Sequence, residues 1–138
     1  HQMERIENGL LSYASDTDPD TDPIEAGLGA YVNLDGDFDF IGKQALIARH
    51  ADPATRRRLV NVTLDGEMPN PEHPWEALSG GTNIGQVRTA TYSPKLDRNV
   101  GLALVSVAYA EAGNSFDVDA DGTTLTATVM NVPFGTSL

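Results

Sequence analysis

From Arg58 onward the sequence repeats one pattern, in which short stretches of alternating or continuous apolar residues end at turn-forming residues. In the stretch 116–120 apolar residues alternate with aspartates, and Asp121-Gly122 then leads into residues 124–132. An Asp-Gly pair between two such stretches is typical of a β-hairpin. Short strands that recur at this spacing predict a small closed or nearly closed antiparallel β-barrel.

The other strands of the predicted barrel are separated by clear breaks. Besides the two strands of the hairpin, the pattern predicts strands at residues 59–64, 75–78, 83–92 and 100–107. Residues 68–74 contain three prolines and are therefore predicted to form an extended loop. Ser93-Pro94 ends the longest strand, because proline cannot donate a hydrogen bond to a sheet.

An acidic side chain stands at the end of the N-terminal helix. Residues 3–7 have helical character, and Gly9 is a natural stop because glycine tolerates a positive φ. The apolar Leu10 and Leu11 predict that the chain returns into the protein after this stop. Glu7 lies in the last helical turn, where the helix dipole disfavours a carboxylate. It therefore either faces solvent or is held for a specific partner.

A loop, a short strand and a second helix are predicted next. Residues 14–23 contain two prolines and alternating aspartates, which predict a solvated loop. Residues 30–34 predict a short strand, and Asp39 is the predicted N-cap of a helix over residues 41–50. The predicted fold class is α+β, with a short N-terminal helical and strand segment followed by a small antiparallel β-barrel.

Acidic residues dominate the charge of the chain. It has 20 Asp and Glu against 9 Lys and Arg, which gives a net charge of −11. Such a chain should repel nucleic acid and anionic membranes, so neither is expected as a partner. The acidity is either incidental or an adaptation to high salt, where self-repulsion is screened. Because only two of the cations are lysines, the sequence favours adaptation to high salt.

Other features of the composition point to a location in the cytoplasm. The chain has no cysteine, which excludes disulfides and thiolate chemistry. Its first residues lack the basic and apolar regions of a signal peptide, and no apolar run has membrane-spanning length.

The run Arg56-Arg57-Arg58 is expected to balance local acidic charge, and an anion site is the alternative.

Common metal and nucleophile patterns do not fit the sequence. A calcium loop that began at Asp16 would need Gly at its sixth place and Glu at its twelfth, which hold Thr21 and Gly27. The three histidines are far apart and lack the spacing of zinc ligands. Ser93 has no histidine nearby in the sequence, which argues against a nucleophile. We therefore predict no metal site and no catalytic residue.

Several blocks of the sequence occur together in one known family. They are Arg5-Ile6-Glu7-Asn8-Gly9-Leu10, Pro23-Ile24-Glu25-Ala26-Gly27-Leu28, Asp39-Phe40-Ile41-Gly42-Lys43, Ile84-Gly85-Gln86-Val87, Tyr92-Ser93-Pro94-Lys95-Leu96, residues 100–105 and Val132-Pro133-Phe134. In this order and spacing they resemble the glycine-cleavage T-protein (aminomethyltransferase) family. That family includes dimethylsulfoniopropionate demethylases and the folate domains of sarcosine and dimethylglycine dehydrogenases, and the blocks form the C-terminal part of a longer enzyme.

The resemblance implies a division of the chain and a cofactor. Residues 1–52 would be the C-terminal end of the folate-binding aminomethyltransferase domain, and residues 53–138 the C-terminal β-barrel domain. The implied cofactor is tetrahydrofolate, with Glu7 hydrogen-bonded to its pterin ring and Tyr13 packed near the folate. Glu25 is interpreted as a structural residue that caps or pairs within this part of the chain.

The reaction implied by the resemblance transfers a one-carbon unit onto tetrahydrofolate. The donor would be an aminomethyl-lipoyl carrier protein or a small methylated amine or sulfonium. The remainder of the parent chain would complete the site, so this segment alone is expected to be inactive. Some members of the family have a basic residue where residues 33–39 are acidic here. The alternative is a non-catalytic β-barrel module that serves as an interaction surface.

Overall fold

Six antiparallel strands close into a barrel in the computed structural model, which describes residues 2–130. The strands are β1 Arg57–Asp65, β2 Trp75–Ser79, β3 Thr82–Ser93, β4 Arg98–Ser106, β5 Ser115–Ala120 and β6 Thr123–Met130. Their order around the barrel is β1-β4-β3-β2-β5-β6, and β6 pairs with β1 to close it. The predicted barrel is confirmed. His1 and the Val132-Pro133-Phe134 block lie outside the described residues.

Strand β5 illustrates how the sequence pattern produces the barrel. Phe116, Val118 and Ala120 are at most 4% exposed and lie in the barrel core, whereas the residues between them are exposed. At the following turn Asp121 and Gly122 have φ values of 55° and 92°. Two residues with positive φ fit the right-handed twist of a tight hairpin, so the Asp-Gly prediction is confirmed.

A second apolar cluster lies on the outside of the barrel, where the helix α1 Gln2–Glu7 packs. Ile6 of this helix is fully buried against Leu59, Leu102 and neighbouring apolar residues of β1 and β4. The side-chain amide of Asn61 on β1 donates to the Ile6 carbonyl oxygen over 3.2 Å. The outer face of the barrel therefore serves as a platform for the N-terminal segment.

A β-bulge in β3 determines which of its residues reach this outer face. Val87 lies opposite Ala103 on β4, but Leu102, the next residue along β4, lies opposite Thr89. Arg88 is therefore an extra residue that breaks the regular alternation. As a result, Val87 points into the core, whereas Thr89 shares the outer face with Leu102.

Two predictions for the N-terminal part are wrong. Residues 30–34 do not form a strand, because the turn Gly29–Tyr31 is of the 3-10 type and uses its backbone groups locally. Leu10 and Leu11 do not return into the protein, since they are 61% and 37% exposed. The chain after the helix is held instead by the polar contacts described below.

The second helix, α2, is shorter than predicted and extends over Lys43–Arg49. Asp39 is not its N-cap, because Gly42 occupies that position with a φ of 89° and no side chain caps the helix. The buried Lys43 ammonium donates to the carbonyl oxygens of Gly36 and Phe38 over 2.6 Å and 2.8 Å and so fixes the preceding loop. No helix within residues 2–130 has the length and apolar character needed to cross a membrane.

Candidate functional site

Helix α1 ends in a Schellman motif at the predicted stop. The Leu10 N–H donates to the Arg5 carbonyl over 2.9 Å and the Gly9 N–H donates to the Ile6 carbonyl over 3.1 Å. Gly9 has a φ of 70°, which this motif requires. Because Ile6 is anchored on the barrel, its neighbour Glu7 is carried against the barrel as well and is only 7% exposed. Glu7 therefore does not face solvent.

The partner of Glu7 inside the protein is Ser93, the last residue of β3. The Ser93 hydroxyl donates to Oε1 of Glu7, and the same Oγ accepts the Leu96 N–H over 3.2 Å. Ser93 is fully buried. Because it lies an even number of positions after Thr89, it shares the outer face of the barrel with that residue.

The second carboxylate oxygen of Glu7 has no hydrogen-bond partner in the described part of the chain. Within residues 2–130, Oε2 accepts no hydrogen bond and Glu7 forms no ion pair with another side chain. A nearly buried carboxylate with one fixed and one free oxygen is suited to accept hydrogen bonds from a ligand.

Asp16 ties the loop after α1 to the barrel. Its carboxylate is completely buried and accepts the Thr89 hydroxyl over 2.7 Å and the Ser12 N–H over 2.7 Å. It also forms an ion pair with Arg5 of α1. Three different parts of the chain therefore meet at one side chain, which predicts a rigid attachment of the loop.

The acidic loop is thus less solvated than its sequence predicts. Besides the buried Asp16, Asp18 pairs with Arg88, the extra residue of the β3 bulge, over 3.0 Å. Burial acts to raise the pKa of Asp18, but the Thr21 hydroxyl, the Asp20 N–H and Arg88 outweigh it and hold the pKa below its ordinary value. Arg88 also donates to the Ser15 carbonyl over 3.2 Å.

Tyr13 lies on this anchored loop but is itself exposed. Its backbone forms an isolated bridge with Thr17, and Ala14 beside it has a φ of 72°. The side chain of Tyr13 is 71% exposed, whereas Glu7 is nearly buried. The structure therefore brings both predicted cofactor residues to the segment outside β3, with only Glu7 held by a contact to the barrel.

Glu25 has the structural role that was predicted for it. Asp22 accepts the Glu25 N–H over 2.9 Å, and Glu25 accepts the Asp22 N–H over 3.3 Å, which is the reciprocal pattern of a capping box. Glu25 is 1% exposed and also accepts hydrogen bonds from Arg49 and Arg57. Arg57 therefore balances a buried acidic charge, as expected, and this cluster ties the loop and α2 to β1.

Asp22 completes the same cluster. It contacts the ring of His50 over 2.8 Å and the guanidinium of Arg49 over 3.2 Å. Burial acts to raise the pKa of Asp22, but the Glu25 N–H, His50 and the Ile24 N–H outweigh it and hold the pKa below its ordinary value. The ionised form of Asp22 is therefore part of the folded structure.

Two grooves on the described part of the chain do not include Glu7 or Tyr13. A groove of about 950 Å³ runs along the start of β1 beside residues 24–30, and a smaller one of about 430 Å³ lies between Ala14-Ser15 and Arg88. Within residues 2–130, His, Asp and Glu form no group of three or more that could hold a metal ion.

Two residues of the site were missed by the sequence patterns. The sequence places Asp16 in a predicted solvated loop and Ser93 at the predicted end of a strand, and neither pattern indicates a contact with Thr89 or Glu7. Each makes its decisive contact with a residue 73 or 86 positions away, Asp16 with Thr89 and Ser93 with Glu7. Local sequence gives no signal for contacts at such separations.

The sequence is similar to that of known proteins over most of its length. Residues 57–135 match the family model described as the glycine cleavage T-protein C-terminal barrel domain. An aminomethyltransferase of Synechococcus sp. (strain CC9902) is 38% identical over 130 residues, which cover 94% of this chain and 35% of that protein. An aminomethyltransferase of Oceanobacillus iheyensis is 37% identical over 130 residues, with 94% and 34% covered.

A solved structure shares the arrangement. The crystal structure of glycine cleavage system aminomethyltransferase T from Bartonella henselae superposes with a TM-score of 0.80 at 26% sequence identity. The similarity covers 96% of this chain and 37% of the Bartonella chain. The present chain thus spans about a third of the length of the curated relatives that it matches.

Proposed function

Since the chain belongs to the glycine cleavage T-protein family and carries its C-terminal barrel domain, we propose that it is part of a tetrahydrofolate-dependent one-carbon transferase. Its relatives are named aminomethyltransferases. In this proposal residues 1–52 are the end of the folate-binding domain, and residues 53–138 are the barrel that supports it. The transferred unit is an aminomethyl or methyl group.

The observation that carries the proposal is the state of Glu7. Its carboxylate is held on the barrel through Oε1, while Oε2 accepts no hydrogen bond within residues 2–130. The pterin ring of tetrahydrofolate presents two adjacent donors, N3–H and the exocyclic amine. A carboxylate has about four lone-pair sites, so Glu7 can accept both pterin donors while it keeps the Ser93 hydroxyl.

Tyr13 is the second proposed contact to the cofactor. An aromatic side chain that is 71% exposed on an anchored loop offers apolar area that a ring system or the rest of the enzyme can cover. Its loop is fixed through Asp16, so binding would cost little conformational entropy of the loop.

The remainder of a longer polypeptide is the proposed partner of this segment. Within residues 2–130, nine of the eleven exposed large apolar residues fall within residues 10–47, and the other two, Tyr92 and Val107, lie in the barrel domain. The nine are Leu10, Leu11, Tyr13, Leu28, Tyr31, Phe38, Phe40, Ile41 and Ile47. Exposed apolar area concentrated in this way is typical of a surface that another part of a protein covers.

The proposed donor is an aminomethyl-lipoyl carrier protein or a small methylated amine or sulfonium. Catalysis in this proposal depends on orienting donor and folate and on excluding water, since Glu7 binds and orients the pterin without entering a covalent step. In this proposal the rest of the longer polypeptide completes the folate site, so residues 1–138 alone are not expected to turn over.

The test is binding of tetrahydrofolate by the complete polypeptide that carries this sequence, measured by isothermal titration for wild type and Glu7→Gln. Glutamine replaces one acceptor oxygen by an NH2 that opposes a pterin donor. A hydrogen bond to a charged group contributes roughly 1.5–3 kcal/mol, so affinity should fall about tenfold to a hundredfold. Glu4→Gln, which changes an exposed acid of the same helix, is the matched control and should bind as wild type does.

Unchanged affinity in Glu7→Gln would refute the assigned role of Glu7. If the wild-type polypeptide itself does not bind tetrahydrofolate, the alternative of a non-catalytic barrel module that acts as an interaction surface is favoured instead. The thermal midpoints of both variants show whether the fold is intact.

A further inference from the structure

The hydroxyl of Ser93 has a single proton, and the structure determines where it goes. The Leu96 N–H points at Ser93 Oγ over 3.2 Å. An N–H group only donates, so Oγ accepts in that contact and its own proton is left for Glu7. The contact of Ser93 with Oε1 of Glu7 is therefore a donation from serine to carboxylate.

The surroundings keep this hydroxyl in place. Pro94 restricts the backbone of Ser93 to extended conformations, and the turn that follows brings the Leu96 N–H back onto Oγ. Ser93 is fully buried, so water does not compete for its proton. Both the position and the direction of the donor are thus determined by the end of β3.

The backbone of Glu7 is fixed independently of Ser93. Ile6 is fully buried on the barrel, and the Asn61 amide donates to its carbonyl oxygen. The Glu7 side chain still has three rotatable bonds between that backbone and its carboxylate. The contact with Ser93 is the one within residues 2–130 that orients the carboxylate.

We propose that Ser93 is a positioning residue, which holds the Glu7 carboxylate as an oriented acceptor and directs Oε2 toward the donors of the bound ligand. This inference rests on the proposed function, because it takes the ligand of Glu7 to be the pterin of tetrahydrofolate. It assigns a role in binding to the barrel domain itself, through the last residue of one of its strands.

A purely structural role for Ser93 would be to brace α1 on the barrel. The two roles predict different coupling between Ser93 and Glu7 in their effects on ligand affinity. If Ser93 acts through the carboxylate, removing its hydroxyl matters for binding only while residue 7 is glutamate. If Ser93 only braces the helix, its loss should weaken binding equally in either background, since independent effects add.

The experiment is a double-mutant cycle in the complete polypeptide, with tetrahydrofolate affinity from titration and the thermal midpoint measured for each variant. Ser93→Ala should weaken binding about fivefold to tenfold in the wild-type background, less than Glu7→Gln does, because Ser93 contacts the carboxylate and not the ligand. In a Glu7→Ala background, where residue 7 has no acceptor for the hydroxyl, it should change affinity by less than about twofold. Ser93→Thr retains the hydroxyl and should restore most of the affinity.

Controls separate the outcomes. Ser115→Ala removes an exposed hydroxyl on β5 that bonds Thr128 over 3.1 Å, and it should leave affinity unchanged. If Ser93→Ala does not fold, Ser93→Cys, a weaker donor of similar size, takes its place in the cycle. If Glu7→Gln weakens binding but the serine effect is absent or additive, the positioning role is overturned and the proposed function stands. If Glu7→Gln has no effect, the role of Glu7 fails and the positioning role of Ser93 fails with it, and if the wild type does not bind tetrahydrofolate, the proposed function itself fails.

Discussion

Asp16→Asn should destabilise the protein much more than Asp20→Asn, although each change removes one negative charge. Asp16 is fully buried and accepts hydrogen bonds from Ser12 and Thr89 in addition to its ion pair with Arg5. Asp20 is exposed, and only its backbone takes part in the contacts of the described chain. The pair of variants therefore separates the buried contacts from the overall charge.

The expected loss of stability in Asp16→Asn follows from the hydrogen-bonding groups that asparagine cannot pair at this position. Its NH2 group must face either the Ser12 N–H and Arg5, or the Thr89 hydroxyl, and only the hydroxyl can turn to accept it. Breaking a buried ion pair costs roughly 3–5 kcal/mol. The Arg5 side chain is 16% exposed and regains some hydration. We therefore expect a loss of about 2–4 kcal/mol in the free energy of unfolding.

Urea denaturation at constant salt is the appropriate assay. With a denaturant slope of about 2 kcal/mol/M, the midpoint of Asp16→Asn should fall by about 1–2 M. Asp20→Asn should shift it by no more than about 0.25 M, as is usual for a surface change. If both variants shift the midpoint equally, Asp16 does not anchor the loop, and the effect belongs to net charge alone.

Two further predictions concern salt and acid. If the net charge of −11 is an adaptation to high salt, the thermal midpoint should rise strongly between low salt and molar KCl, because the Debye length is about 3 Å at 1 M; a flat midpoint would refute the adaptation. The pKa of Asp22 lies below 3.8, so its ionised form stabilises the fold above pH 3.8, and this contribution is lost as pH falls through the lower pKa of the folded state. Wild type should therefore lose stability on acidification more steeply than Asp22→Asn, as measured by urea midpoints from about pH 6 to pH 2; parallel curves would contradict this.

The barrel could be predicted from sequence because its determinants are local. The alternation in β5 and the Asp-Gly turn after it each require only neighbouring residues, and both appear in the structure as expected. The stop of α1 at Gly9 is of the same kind, since a Schellman motif involves residues within one turn. The capping box formed by Asp22 and Glu25 also spans only three positions.

The missed features depend on contacts between distant parts of the chain. Asp16 has the sequence surroundings of a solvated loop, and Thr89 makes it a buried acceptor only after the barrel has formed. Asp39 has a side chain that is typical of an N-cap. In the structure the Lys43 ammonium holds the loop before α2 by a hydrogen bond to the Gly36 carbonyl, and Gly42 occupies the N-cap position. Leu10 and Leu11 are apolar yet exposed, since polar contacts hold their segment. The structural propensity of a residue reflects its local conformational preference and does not identify the distant residue that it contacts in the fold.

The extra residue in β3 determines which of the later residues of that strand face the outside of the barrel. If β3 instead paired regularly, with Arg88 opposite Leu102, every later residue of β3 would move by one partner and exchange faces. Ala90 would turn outward, while Thr89 and Ser93 would carry their hydroxyls into the apolar interior. The two hydroxyls that hold Asp16 and Glu7 would then be lost without any change in their own identity. Deletion of Arg88 should therefore keep Thr89 and Ser93 on the outer face, whereas an added residue that pairs with β4 before Thr89 should turn both inward.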